Sequence, residues 1–146
     1  MKIVEIKNRS DILITKLFNL WQESVRDSHH FLDETAIKTI GEIIPTALEN
    51  IEHLIVVYDN FNTIQAFMGI ESHKIEMLFV ASNMQGKGIG KRLIKYAINT
   101  HDITEITVNE QNIKAYEFYK HIGFKAFKRD EKDDMGNPYP IVHMQL

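Results

Sequence analysis

The chain has 146 residues, of which 44% are apolar and 25% charged, and its formal net charge is -3. This length fits one domain over residues 1–146 with a core of its own. The mildly acidic balance provides no footprint for nucleic acid or an anionic membrane, so neither is expected as a partner. The chain has no cysteine, which excludes disulfides, thiolate metal sites and an acyl-cysteine intermediate.

The N-terminus and the histidines each support one further expectation. Residues 1–6 alternate as in a strand, without the apolar segment of a signal peptide, and no stretch reaches the length of a transmembrane span. A cytoplasmic location is therefore expected. The seven histidines show no spacing typical of a metal site, so no metal is expected.

The first half of the chain predicts a strand, two helices and an antiparallel meander. Ser10 or Asp11 can cap the first helix and Asp33 the second, whereas Pro45 should kink or divide the second. Three strands then follow, over 54–57, 64–70 and 75–80. The connector between the two helices, residues 27–32, is free to border a pocket.

The second half predicts a helix, a strand, another helix and a closing hairpin. The first of these helices should span about Gly88 to Asn99, and the next strand, Ile103 to Val108, should run parallel to strand 75–80. Asn109 or Asn112 then caps the last helix. The predicted fold class is α+β: a mixed α/β sandwich with a mostly antiparallel sheet of about seven strands, flanked by about four helices.

A glycine-rich loop connects strand 75–80 to the helix that follows it. Glycine stands at positions 86, 88 and 90, where the absence of Cβ lets backbone N–H groups point inward. The helix N-terminus adds free N–H donors and a partial positive charge, which suit a phosphate. Basic residues crowd the same segment, namely Lys87, Lys91, Arg92 and Lys95. The loop therefore predicts an anion site, with a tight turn lacking any ligand as the alternative.

Two common phosphate motifs do not fit this loop. A Walker A loop needs glycine where Gln85 stands and a hydroxyl residue where Arg92 stands. The dinucleotide-binding fingerprint needs glycine where Lys91 stands. Neither a nucleotide triphosphatase nor a dinucleotide-binding domain is therefore expected.

Two segments together resemble the GNAT superfamily of acetyl-CoA-dependent N-acetyltransferases. The loop Gln85–Gly90 matches the signature loop of that family, and the stretch Asn112–Tyr119, continued by 120–124, matches a second family segment. The resemblance spans nearly the whole chain. Residues 109–112 and 133–140 look more closely like a bacterial subgroup, the YjaB-type acetyltransferases.

The resemblance implies direct transfer of an acetyl group from acetyl-CoA to a primary amine within a ternary complex, on a sheet that is splayed where CoA binds. The loop would hold the CoA pyrophosphate, and the pantetheine arm would lie along the preceding strand. The cofactor-binding residues implied are Leu78, Phe79, Val80, Gln85, Gly86, Lys87, Gly88, Ile89, Gly90, Lys91, Asn112 and Tyr119.

The resemblance assigns the proton for the departing thiolate to Tyr119, whose phenol is protonated at neutral pH. A backbone N–H of Phe79 or Val80 would stabilise the oxyanion. The base is less defined. His73 is preferred because histidine titrates near neutrality, and Glu76, Glu71 or no base at all remain alternatives.

The acceptor pocket should lie between the connector residues Ser28–Phe31 and the final hairpin, which carries Asp130, Glu131, Asp133 and Asp134. These carboxylates would attract a cationic amine, in a small molecule or a peptide, although a charged hairpin is also typical of a solvated edge. A monomer or homodimer is expected. Two alternatives remain, a non-catalytic CoA-binding module and a phosphate-binding structural domain, and release of thiol from acetyl-CoA separates the enzyme from both.

Overall fold

Seven strands form one sheet in the computed structural model, which describes all 146 residues. In chain order the strands are β1 (Lys2–Glu5), β2 (His53–Tyr58), β3 (Ile64–Glu71), β4 (Lys74–Val80), β5 (Glu105–Asn109), β6 (Lys125–Asp130) and β7 (Ile141–Gln145). Their order across the sheet is β1-β2-β3-β4-β5-β7-β6. Only β4 and β5 run parallel, so the predicted, mostly antiparallel sheet is confirmed.

Five α-helices flank the sheet, one more than expected. They are α1 (Asp11–Ser28), α2 (Glu34–Gly41), α3 (Ile44–Asn50), α4 (Ile89–His101) and α5 (Ile113–Ile122). Pro45 divides the predicted second helix into α2 and α3, because it occupies the first turn of α3, where its missing N–H costs nothing. Side chains of Ser10, Asp33 and Asn112 cap α1, α2 and α5.

The helices cover both faces of the sheet and enclose two apolar clusters. Val56 and Phe67 face the cluster that contains α1, α2 and α3, whereas Ile55 and Met68 face the cluster that contains α4 and α5. Neighbouring strand residues alternate between the faces because side chains in a strand have a period of two. None of the five helices has the length and apolarity that a membrane crossing requires.

The sheet opens between β4 and β5. These strands pair only through Lys74 with Glu105 and Ile75 with Ile106. Beyond that point β4 remains paired with β3, and β5 with β7. The β3–β4 register shifts so that Glu76 has no partner on β3, and such a bulge bends a strand locally. The result is a gap between the C-terminal halves of β4 and β5, as the predicted splaying requires.

Candidate active site

The glycine-rich loop leaves open space at the start of α4. Gly86 and Gly88 have φ of +77° and +83°, and a Cβ on either would meet no atom within 4 Å. α4 begins at Ile89 without a side-chain cap, in contrast to α1, α2 and α5, so its first N–H groups are free for a ligand. Lys87, Lys91 and other basic side chains around it are exposed. Free N–H groups, open space and basic side chains are the features that an anion site at a helix N-terminus requires.

The edge of β4 presents the backbone groups of Leu78 and Val80 to the gap. The Ala81 N–H donates to the Gln65 carbonyl oxygen of β3 over 2.9 Å. Alternate residues of an antiparallel strand turn their backbone groups the same way, so Phe79 also bonds toward β3. Of the two N–H groups considered for the oxyanion, only that of Val80 therefore points into the gap.

Hydrogen exchange of individual amides tests this orientation. Addition of CoA should slow exchange at Leu78 and Val80, because the pantetheine arm would bond to these groups, and should leave Phe79 unchanged. The measurement is amide exchange by NMR with and without CoA, and Phe79 serves as an internal control. Protection confined to Phe79 would show that the arm does not pair with this edge.

A cleft of about 320 Å³ runs from the glycine-rich loop along β4 to α5. All the predicted cofactor-binding residues line it except Lys87, which is exposed in the loop. Ile89 contributes its backbone, since its side chain is buried in the core. The cleft also includes residues that the sequence did not indicate, namely Ser24, Met84, Lys114, Ala115 and Phe118. Ser28 and His29, which were expected at the acceptor pocket, line it as well. Ser24 and Ser28 lie one helical turn apart on α1, and this spacing could have indicated that two polar side chains share one face of the helix.

A second cavity, also of about 320 Å³, lies on the other side of the gap. As expected for an acceptor pocket, it is bordered by His29 and Phe31 of the connector and by Asp133 and Asp134 of the final hairpin. Four expected residues, Ser28, His30, Asp130 and Glu131, do not line it. Most of its lining is apolar, from Trp21, Val25, Leu32, Ile40, Ile43, Ile44, Met77, Val108, Met135 and Ile141, among others.

The two cavities meet, and the residues that line both are His29, Leu78, Phe79, Asn112, Ala115 and Tyr119. Asn112 Oδ1 accepts the N–H of Ala115 as the cap of α5 over 3.4 Å, which leaves its amide NH₂ available to the cleft. A thioester at the end of the cofactor cleft would thus face the acceptor cavity directly.

Tyr119 lies at this junction and is 7% exposed. Its ring packs near Phe118 and Phe124, with ring centroids 5.7 and 6.4 Å away. Burial raises the pKa of its phenol above the usual value, because the charged phenolate loses hydration. The hydroxyl group therefore keeps its proton at neutral and moderately alkaline pH, as a general acid must.

His29 also lies at the junction and is 8% exposed. The Ser28 hydroxyl donates its single hydrogen to the Ser24 carbonyl oxygen over 2.7 Å. Its oxygen also lies 2.7 Å from His29 Nδ1, so Nδ1 must be the donor in that contact. Burial lowers the pKa of His29 to about 4. The imidazole is therefore neutral, with its proton on Nδ1 and a lone pair on Nε2.

The buried imidazole of His29 should make the free energy of unfolding fall as the pH drops from 6.5 to about 4. In this window the unfolded chain binds a proton at His29 and the folded chain does not. The maximal loss is on the order of 3 kcal/mol. Urea unfolding at pH 7 and pH 4 should show a smaller loss in His29→Gln than in the wild type, and a wild-type loss in His121→Gln, because His121 is exposed on α5. Equal losses in all three proteins would contradict the assignment.

The three candidates for the general base differ in whether they line a cavity. His73 is exposed in the β3–β4 turn, and its carbonyl oxygen accepts the N–H groups of Thr104 and Glu105 where the sheet is still closed. It lines neither cavity, which corrects the expectation that it borders the cleft. Glu71 is exposed at the same end, where it accepts the Glu52 N–H over 3.2 Å. Only Glu76, at the bulge where the sheet opens, lines the acceptor cavity.

A histidine at the border of the acceptor cavity is paired with an aspartate outside it, and the sequence did not indicate this pairing. His143 of β7 lines the cavity, and its Nε2 lies 2.7 Å from Asp130 Oδ2. This hydrogen bond lowers the pKa of Asp130. Asp130 is thus engaged by His143 and is not a free carboxylate for an amine. The two residues are thirteen positions apart, so only the β6–β7 pairing brings them together.

Comparison with known proteins agrees with this geometry. The chain belongs to the GNAT acetyltransferase family, since residues 22–146 match the acetyltransferase (GNAT) domain. The predicted acetyl-CoA-dependent N-acetyltransferase is confirmed, with acetyl-CoA as the acetyl donor.

The relatives also confirm the expected subgroup. The chain is 33% identical to the peptidyl-lysine N-acetyltransferase YjaB of Salmonella typhimurium strain LT2. This identity is measured over 129 residues, which are 88% of each of the two chains. The solution structure of apo YjaB from Escherichia coli has a TM-score of 0.88 at 29% identity, over 99% of this chain and 97% of that one. The PaiA N-acetyltransferase of Thermoplasma acidophilum, in complex with coenzyme A, shares the fold with a TM-score of 0.72 at 20% identity over all of both chains.

Proposed function

We propose that this enzyme acetylates the side-chain amine of a lysine in a peptide or protein. The observation that supports this most directly is the meeting of two cavities of similar size at Tyr119 and Leu78. One cavity has the phosphate-binding features that CoA requires, and the other is open to an acceptor. The YjaB relative is named a peptidyl-lysine N-acetyltransferase.

The second cavity fits a lysine side chain in shape and charge. A lysine side chain combines an apolar methylene stem with a charged end. The apolar walls of the cavity suit the stem. Glu76 and Asp134 provide carboxylates that attract the ammonium group. Glu76 is also paired with Lys74, whose Nζ lies 3.3 Å from its Oε1, so the substrate ammonium would share this carboxylate with Lys74. Asp133 contributes less, because its carboxylate accepts the N–H groups of Met135 and Asn137 within the hairpin.

The positions of these groups support the following order of steps. Glu76 accepts a proton from the lysine ammonium, and the neutral nitrogen attacks the thioester carbonyl carbon. The Val80 N–H donates to the oxyanion as the C–N bond forms. The attacking nitrogen releases its extra proton to water, the C–S bond breaks, and Tyr119 donates its proton to the CoA thiolate. Tyr119 and Glu76 then return to their starting states by exchanging protons with water. The lone pair of His29 Nε2 at the junction would accept a hydrogen bond from the attacking nitrogen.

A peptide with one lysine and a blocked N-terminus tests the acceptor class. With acetyl-CoA it should release thiol and gain one acetyl group on that lysine, as seen by mass spectrometry. The same peptide with norleucine in place of lysine is the matched control and should not react. No thiol release with lysine peptides or small amines would favour the non-catalytic CoA-binding module, whereas reaction with small amines alone would contradict the peptide acceptor.

Glu76→Gln should lower turnover on this peptide by about 100-fold, the lower range for loss of a general base. The effect should diminish at alkaline pH, where the lysine amine loses its proton without help. Glu71→Gln is the matched control, because Glu71 lies outside both cavities, and it should retain wild-type turnover. Equal rates for the two variants would exclude Glu76 as the base.

Other expectations from the sequence stay predictions. They are a single domain over residues 1–146, a monomer or homodimer, a cytoplasmic location and the absence of a nucleic-acid partner. The role of Tyr119 as the acid and the roles of the individual CoA-binding residues are likewise predictions, which substitution and amide exchange can check.

A further inference from the structure

Two histidines and a glutamate meet at the β1–β2 edge of the sheet, at the end of α4 that is remote from the glycine-rich loop. Glu5 ends β1, His53 begins β2 and His101 ends α4. Their side chains are 20%, 30% and 11% exposed. α4 has 13 residues, which places this cluster roughly 20 Å from the loop. The residues therefore belong to neither cavity, and the acetyl transfer does not use them.

The three side chains already converge on one point. His53 Nδ1 lies 3.0 Å from Glu5 Oε2, and His101 Nε2 lies 3.1 Å from Glu5 Oε1. One ligand atom from each residue falls within 4.8 Å of the others. Ligands bound to zinc at 2.0–2.2 Å in a tetrahedron are separated from one another by roughly 3.3 Å. A metal ion would thus need only small side-chain movements.

One nitrogen in the cluster has no partner. His101 Nε2 is buried and makes no hydrogen bond, because its 3.1 Å contact with Glu5 Oε1 is poorly aligned for one. A buried polar atom without a partner is costly, and native structures rarely leave one without a reason. Coordination to a metal ion would satisfy this nitrogen, since the lone pair of a neutral imidazole is a metal ligand.

The surrounding charges are compatible with a cation. Glu52 Oε1 lies 3.9 Å from His53 Nε2 and is held by the Ser72 N–H over 2.7 Å. His53 Nδ1 donates to Glu5 Oε2 over 3.0 Å. A metal ion would take the place of this proton, and the imidazole proton would then lie on Nε2, toward Glu52, as outer carboxylates favour in many zinc sites. Lys7 is the one competing cation, 2.8 Å from Glu5 Oε2, and it is 83% exposed, so a metal ion can displace it at little cost.

We propose that Glu5, His53 and His101 form a structural site for a divalent transition metal, with Zn²⁺ as the best fit. Two imidazoles and a carboxylate suit Zn²⁺, Co²⁺ and Ni²⁺ and are poor ligands for Mg²⁺ or Ca²⁺. Water would complete the coordination. The bound ion would tie the C-terminal end of α4 to the β1–β2 edge of the sheet, and so stabilise the folded chain without entering the reaction.

The test is metal binding by chelator-treated full-length protein. Zn²⁺ at one hundred times its Kd should raise the melting temperature by about 5 °C or more. Co²⁺ should bind in a one-to-one ratio with visible absorption bands. His53→Ala and His101→Ala should lose both effects. His121→Ala is the matched control, since His121 is exposed on α5, and it should respond like the wild type.

A second measurement needs no variant and does not depend on the folding of a mutant. In the wild-type protein, Zn²⁺ should shift the imidazole NMR signals of His53 and His101 and leave those of His73 and His121 in place. No rise in melting temperature with Zn²⁺, or equal responses of the His53, His101 and His121 variants, would overturn the proposal. Shifts that are confined to other histidines would also overturn it.

Discussion

Tyr119→Phe should lower turnover by about 10²- to 10⁴-fold, the range for loss of a general acid, while the affinity for acetyl-CoA stays within about threefold. The ring of Tyr119 packs in the core and lines both cavities, so phenylalanine preserves the shape of the junction. It removes only the hydroxyl group, whose proton the departing thiolate needs. Because burial raises the pKa of this phenol, the wild-type acid stays protonated at neutral and moderately alkaline pH.

Steady-state thiol release and calorimetric binding of acetyl-CoA provide the two readouts. Tyr116→Phe is the matched control, because Tyr116 lies on the same helix, α5, and lines neither cavity. It should retain wild-type turnover. If Tyr119→Phe turns over at the wild-type rate, the hydroxyl group takes no part in the reaction. An equal loss in both variants would instead indicate damage to α5.

Gly88→Val should weaken CoA binding by at least about 100-fold, which corresponds to one or two lost hydrogen bonds to a charged group. Space around the Gly88 Cα is open, and this is the space that the pyrophosphate would occupy beside the free N–H groups of α4. A valine side chain fills it. The φ of +83° also strains any β-branched residue, so the loop would tend to rearrange.

Gly136→Val shows whether a loss of CoA affinity in Gly88→Val comes from the filled space or from backbone strain. Gly136 has a φ of +80° and equally open surroundings, but it lies in the hairpin between β6 and β7, outside the cofactor cleft. This variant should lose comparable stability in thermal unfolding and retain its CoA affinity in calorimetry. If Gly88→Val retains affinity, the phosphates bind elsewhere. If Gly136→Val also loses affinity, backbone strain alone explains the effect.

Features that depend on local sequence could be predicted. The caps at Ser10, Asp33 and Asn112 act within three residues, and the positive φ values of Gly86 and Gly88 are a local requirement of the loop. The element order follows from hydrophobic periodicity. Only the division at Pro45 changed the helix count, and it too has a local cause.

Features that depend on long-range pairing could not be predicted. His73 and Glu76 are three residues apart, yet only Glu76 reaches a cavity, because a register shift against β3 places the bulge there. The neutral tautomer of His29 depends on a hydrogen bond from Ser28 to Ser24 that only the folded helix α1 provides. No spacing rule reports such contacts.

The pairing of acidic residues with histidines also depends on long-range contacts, so the sequence did not predict it. Asp130 was grouped with the acidic residues of the hairpin, but strand pairing brings His143 against it. Glu5 lies 48 positions before His53, and His53 lies as far before His101, so no metal-site spacing could reveal them. In each case the folded structure gives a charged group a partner that is distant in the sequence, and this partner determines the chemistry of the charged group.

Affinity of a bisubstrate compound is the most direct test of the central claim that acetyl-CoA and a lysine side chain meet at Tyr119. In this compound the CoA sulfur is joined, through a two-carbon acetyl bridge, to the side-chain nitrogen of a lysine peptide. Because one molecule would fill both cavities, calorimetry should show binding at least about 100-fold tighter than that of CoA. Affinity no better than that of CoA would contradict the claim.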